Sequence, residues 1–400
     1  MKNKYLPTAL ALYMNYFVHG FGVIILAQNM TFLAHQWGTT AGGVAIVISS
    51  LGIGRIINLL ASGILSDHFG RKPFILLGIG TYLVFFVGIL LSRSMVVAYI
   101  LGIIAGMANS FLDSGTYPAL MEIFPSAKGT ANVVLKAFIS GGQFVLPLIV
   151  SFLIANHLWF GWSFVVAAVI LCCTGVYTLF GGRFPDIKGV AEEDEVQQKT
   201  DELESSRKKA NLWLDGTLFV IYGYVSQATF YLVSQWLSRY GRLVGGMGQA
   251  SAHALISYYS VGSITCVLLT AVLAKKIKEV NFLSVYTLLS FVALLLMYLI
   301  PRSVVLTVMS FIVGFAAAGG VMQLGLTVMS EFFPTGKGSV TGFFYTSGSI
   351  ASFTIPLFTG LMSSLRMIIF FDVVIALIGF IVTTIITFRY RQLFGKKLHS

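Results

Sequence analysis

The sequence predicts an all-α membrane protein of twelve transmembrane helices, built as two six-helix pseudo-repeats. Three observations predict it. Of 400 residues, 56% are hydrophobic and only 10% are charged, against roughly 25% charged in an average soluble domain. Apolar runs of about 20 residues, enough to cross a bilayer, recur along the whole chain. Finally, MEIFPSAKGTANVVLKAF from Met121 aligns with SEFFPTGKGSVTGFFYTS from Ser330 at a constant offset of 209. Glu122 then matches Glu331, Pro125 matches Pro334, Lys128 matches Lys337, Gly129 matches Gly338 and Pro147 matches Pro356. Five identities at one offset indicate duplication.

The first span, 7–30, begins inside MKNKYLPTALALYMNYF. That segment has the outline of a secretory signal peptide but lacks a small-residue cleavage site, so it is read as a retained helix. It carries His19, with Gln28 and Asn29 further along. The second span, 43–65, holds Arg55, and the third covers 73–92. The fourth, 95–120, is almost free of charge except for Asp113 in NSFLDSGTYPAL. The fifth, 130–154, holds Lys136, and the sixth covers 162–181. A polar stretch follows, with AEEDEVQQKTDELESSRKKA at its centre; rich in charge and poor in aromatics, it reads as a cytoplasmic linker. The chain therefore divides into a half over 1–182, a linker over 183–210 and a half over 211–400. The seventh span, 213–238, contains YGYVSQATFYLVSQW, with Tyr224, Gln227, Tyr231 and Gln235. Spans at 250–274, 281–300 and 304–329 lead to the eleventh, 339–363, where Tyr345 occupies the repeat position of Lys136. The last span, 367–388, holds Asp372 near its outer end.

The basic residues orient the chain. With the N-terminus inside, nineteen of the 26 Lys and Arg fall in inside segments and five in outside loops, while Arg55 and Lys136 lie within helices. That bias places both termini in the cytoplasm. The formal net charge of +11 is then accounted for by orientation and lipid contact, with no nucleic-acid footprint. Cys172, Cys173 and Cys266 lie in apolar spans without ligand spacing, so neither disulfide, metal nor other cofactor is expected. No nucleophile–base pair or phosphate-cradling loop stands out, so an enzyme is not expected. A monomer in contact with lipid is.

GILSDHFGRKP, between the second and third spans, resembles the G-x-x-x-D-x-x-G-R-K loop signature of the major facilitator superfamily. Gly63, Asp67, Gly70, Arg71 and Lys72 all match. Glycine permits a tight turn or close helix approach, and the basic pair holds the loop inside. The resemblance implies that Asp67 joins a charge network closing the cytoplasmic gate, with Glu122 and Glu331 beside their Phe-Pro turns as further gate residues. It also implies alternating access, with a site at the midplane between the halves. In the second half the pattern is lost, and Lys276 stands where the offset places the aspartate. Drug–proton antiporters of the superfamily carry an arginine in the fourth helix and G-P-x-x-G-G in the fifth. This chain has no arginine there, and reads SGGQFVLPLI in the fifth, which disfavours a drug exporter. A non-transporting receptor or scaffold on the same fold is a further alternative.

The intramembrane charges point to the substrate. A charge at the bilayer centre costs about 3 kcal/mol or more unless it is paired or hydrated. Arg55 lies about ten residues, ~15 Å, from the cytoplasmic end of its helix, and Asp113 and Lys136 lie ~9–12 Å from theirs. One carboxylate with two cations leaves a positive charge that suits a substrate anion. A salt bridge that only locks helices is the other possibility, and Lys136 has the length to snorkel to the interface. Burial disfavours a charged carboxylate and a nearby cation favours it, so helix movement could switch the protonation of Asp113, with His19 as a second candidate for proton coupling. Gln28, Asn29, Tyr224, Gln227, Tyr231, Gln235 and Tyr345 are expected to supply aromatic and amide contacts to the substrate. The expected function is proton-coupled transport of a small organic anion, by symport.

Overall fold

A computed structural model describes residues 4–125, 128–185, 210–273, 277–318, 321–333 and 337–394, without the side chains of 60, 67, 128–130, 132–133, 271–272, 321, 323 and 337–343. The described chain is helical throughout. Its first half comprises α1 (Leu6–Gln28), α2 (Met30–Gln36), α3 (Ala41–Phe69), α4 (Arg71–Leu91), α5 (Met95–Ile123), α6 (Lys128–Ala155) and α7 (Trp162–Phe180). The second comprises α8 (Leu212–Leu243), α9 (Gln249–Leu273), α10 (Glu279–Leu299), α11 (Ser303–Val313), a π turn (Gly314–Ala318), α12 (Val321–Phe332), α13 (Lys337–Leu361) and α14 (Leu365–Phe394). Ten of these are long and apolar enough to cross a bilayer. The α11–π–α12 run and α13 complete the twelve crossings, with α2 continuing the first. Large apolar side chains such as Leu91, Phe180, Leu299 and Val304 stay on the surface. In water such a surface would be a liability; against lipid it is the required solvent face.

Three elements differ from the sequence expectation. The tenth span is interrupted by the π turn at GFAAA, where glycine and short side chains let a neighbouring helix press on the backbone. The seventh crossing extends to Leu243, so Arg239 and Arg242 lie on helical turns and not in a loop. The signature segment is largely helix: α3 continues to Phe69 and the turn contracts to Gly70, at φ 88°. Only glycine adopts that backbone cheaply. Gly63, by contrast, needs neither a turn nor a close approach, because a Cβ there would meet open space. The side chain of Asp67 lies outside the described residues, and so does most of the expected linker.

Glycines set the helix packing, and they do so twice. A Cβ at Gly54 would strike the carbonyl of Ile103, and one at Gly106 would strike that of Leu51, so α3 and α5 touch through backbone. In the second half, Gly262 meets the carbonyl of Phe311 and Gly314 meets that of Tyr259. All four positions in each crossing are related by an offset of 208. Close approach of this kind is how membrane helices associate without a hydrophobic driving force.

The halves meet through α3 with α13, α6 with α9, and α1 with α8. Much of this seam lies on the side of the membrane opposite the termini. Gly42 abuts the Gly360 carbonyl and Gly52 abuts the Phe353 backbone. Gln28 donates to Ser238 Oγ at 3.2 Å, and His253 Nδ1 lies 2.6 Å from Gln28 Oε1. Ser257 donates to the Phe144 carbonyl at 2.9 Å, and Ser140 and Ser263 pair at 3.1 Å nearer the midplane.

Candidate functional site

Below this seam lies a cavity of about 420 Å³ walled by both halves. Helix periodicity puts Tyr16 and His19 on one face of α1, and Asn109, Asp113 and Tyr117 on one face of α5. Arg55 from α3 and Lys136 from α6 complete the N-terminal wall, while Gln227, Phe230, Tyr231, Ser263, Met322 and Tyr345 supply much of the other.

The charges meet as the sequence suggested. Arg55 Nη2 lies 3.2 Å from Asp113 Oδ2, and both side chains are about one-fifth exposed. Tyr16 donates to Asp113 Oδ1 at 2.6 Å. Lys136 lines the same space, close enough to interact electrostatically with Asp113 and Arg55. The formal balance of these cavity groups, two cations and one carboxylate, is +1. Arg55 Nε and Gln143 Nε2 are buried donors without hydrogen-bond partners among the described residues.

His19 sits in a second chain of contacts. Its Nδ1 lies 2.7 Å from Tyr82 Oη, and Tyr82 donates to Asn109 Oδ1. Tyr82 thus bridges the His19 imidazole and the Asn109 amide.

Repeat-related positions face each other across the cavity. His19 corresponds to Gln227, Arg55 to Ser263, Asn109 to Ala317 (offset 208), and Lys136 to Tyr345 (offset 209). The geometry is duplicated and the charge is not. Among the described lining residues, the ionised groups all belong to the first half.

Four expected substrate contacts lie elsewhere. Gln28 is nine residues beyond His19, about 13 Å along the helix, and belongs to the seam with Ser238 and His253. Asn29 donates to Ile25 O at 3.0 Å and to Ser163 Oγ at 3.2 Å, within its own half. Tyr224 shares a 2.9 Å hydrogen bond with Thr354. Gln235, eight residues past Gln227, is buried in helix packing. Spacing alone did not reveal that depth. Tyr16, Asn109, Tyr117 and Gln143 were missed; the i, i+3 and i, i+4 relation to His19 and Asp113 was the signal available for the first three.

Among the described residues, Arg71, Lys72, Glu122 and Glu331 each have a partner within their own half. Arg71 Nε binds Glu122 Oε1 at 3.0 Å, and its Nη1 donates to Ser66 Oγ. Lys72 donates to the Leu179 carbonyl at 2.9 Å. Glu331 accepts from Tyr390 at 2.6 Å. Asp215 starts α8 and accepts from Asn211 N, and it also forms a two-pronged pair with Arg389 at 2.9 and 3.0 Å, which the sequence did not foretell.

A profile described as Major Facilitator Superfamily matches residues 12–356 and 246–396. The chain belongs to that family. It is 49% identical over 395 residues to the inner membrane transport protein YdiM of Escherichia coli (strain K12), covering 98% of this chain and 96% of that one. It is 39% identical to YdiN of the same organism, covering 98% and 92%. Among solved structures, the D-xylose-proton symporter superposes with a TM-score of 0.77 over 96% of this chain and 97% of its own, at 14% identity. This major facilitator is a multi-pass membrane transporter, not an enzyme.

Proposed function

We propose that this transporter moves a small organic anion by proton-coupled alternating access, as a symporter, with both termini cytoplasmic. The observation that carries the reading is the cavity's charge: Arg55 and Lys136 against the single carboxylate of Asp113, with the Arg55 Nε and Gln143 Nε2 donors unspent. Such donors suit carboxylate oxygens, and a guanidinium can take a carboxylate on two prongs. Tyr16, Tyr117, Tyr231 and Tyr345 give the apolar walls and hydroxyls that orient a small solute. Asp113 carries the coupling proton in this reading. Substrate arriving at Arg55 competes with Asp113 for the guanidinium, and the released carboxyl takes up a proton.

A thermal-shift screen of the purified protein against carboxylates, sugars and lipophilic cations tests the substrate class, since a specific ligand stabilises by mass action. Stabilisation by carboxylates, weakened by Arg55→Ala more than by Arg55→Lys, is the expected result. Stabilisation by cations alone, indifferent to Arg55, would overturn it.

A further inference from the structure

Asp372 lies on α14, in the half whose cavity wall carries no described charge. Its side chain is fully buried, and neither carboxylate oxygen has a hydrogen-bond partner among the described residues. The hydroxyl of Thr229, from α8, approaches it without reaching hydrogen-bond geometry. Tyr259, from α9, lies near enough to feel its charge, and that hydroxyl is equally buried and equally unpartnered. Neither neighbour carries a charge at neutral pH, and Thr287 and Ser290 on α10, which line the crevice beside it, are uncharged too. No described cation lies within salt-bridge distance of Asp372.

An ionised carboxylate in that setting, without counter-ion or donor, is strongly disfavoured. Two nearby hydroxyls are enough to hold a protonated acid and too few to wrap a metal ion. A small void lies close by. It measures about 20 Å³ and touches Ser226, Thr229, Thr287 and Ser290, together with Ala376, one turn from Asp372 along α14. That is room for one water, between walls that are mostly apolar. Ser226 and Ala317 line both this void and the central cavity, so a thin wall separates them. The wall includes the π turn, a form of helix that recurs at functional sites.

We propose that Asp372 is a proton-binding site of the C-terminal half, filled from the central cavity through the Ser226–Thr229 crevice. The proton arrives from cavity water, bonds to one carboxylate oxygen and leaves the acid neutral, its O–H directed to Thr229 or Tyr259. Movement of the π turn during alternating access opens or closes the crevice and so sets when the proton exchanges. The site extends the proton-coupled reading above but depends on neither the substrate nor Asp113.

Infrared spectroscopy of the purified full-length protein at neutral pH reads the proton directly. A protonated-carboxyl C=O band that shifts in heavy water is expected in the wild type and in Asp113→Asn, and lost in Asp372→Asn. Asp372→Glu should move the band without removing it, which covers the case that the Asn variant does not fold. Absence of the band in the wild type, or its persistence unchanged in folded Asp372→Asn, would overturn the site. The choice of an anion as substrate is tested separately, by the ligand screen, and stands or falls without Asp372.

Discussion

At the residue scale, Asp113 is both the partner of Arg55 and the proposed proton carrier, and one substitution separates the two roles. Asp113→Asn keeps the shape and one acceptor but cannot ionise. Proton-driven accumulation in vesicles with an imposed pH gradient should fall to background, while substrate-for-substrate exchange survives, because exchange needs no net proton movement. A purely structural pair behaves differently. Stranding a buried charge costs about 3–5 kcal/mol, so expression and exchange would fall together. The one-fifth exposure of both side chains favours the first outcome, since cavity water hydrates the guanidinium left behind. Uphill accumulation by the Asn variant would remove Asp113 from coupling. His19 invites a companion measurement. Tyr82→Phe deletes the hydroxyl that bridges it to Asn109, and transport should fall severalfold while the thermal midpoint moves by only a few degrees.

Helix packing through glycine is the feature that decides stability at the element scale. Gly106→Val places a Cβ where the Leu51 carbonyl already sits, and backbone cannot yield as a side chain can. The cost should exceed the 1–3 kcal/mol typical of overpacked cores, and the variant should lose monodispersity on size exclusion. Gly314→Val, its repeat counterpart, should fail in the same way. Gly80→Ala provides the control: a Cβ there meets nothing, and in a helix alanine is favoured over glycine by up to about 1 kcal/mol. If all three variants behave like the wild type, close backbone approach is not what holds these helix pairs.

Across the whole molecule, the seam opposite the termini must part if the cavity is to open on that side. Gln28 is its polar centre, since it reaches Ser238 and His253 in the other half. Gln28→Leu removes both bonds and leaves the buried partners unpaired, so the balance should shift toward the state open on that face. Spin labels placed on the α2–α3 and α13–α14 loops should report a larger population at long distance, with the fold intact. An unchanged distance distribution would show that helix packing around Gly42 and Gly360, and not this hydrogen-bonded cluster, holds the seam.

The sequence by itself determined the class, the twelve crossings and the duplication, and it put Arg55, Asp113 and Lys136 at similar depths. These follow from composition, apolar run length and the cost of intramembrane charge, and each can be read along one dimension. Asp113 needed a partner, and few cations lay at its depth. Tertiary structure alone decided which polar residues reach the cavity. Gln28 and Gln227 are both amides on first helices of their halves, yet one closes the seam and the other lines the site, because depth and rotation about a helix axis are set by how neighbours pack. The matched crossings at Gly54–Gly106 and Gly262–Gly314 were equally invisible, since a glycine in an apolar run reads the same whether its Cβ would meet backbone or open space. Asp372 shows the same limit most clearly. Its isolation from every described cation, and the small void near it, exist only where α8, α10 and α14 pack together.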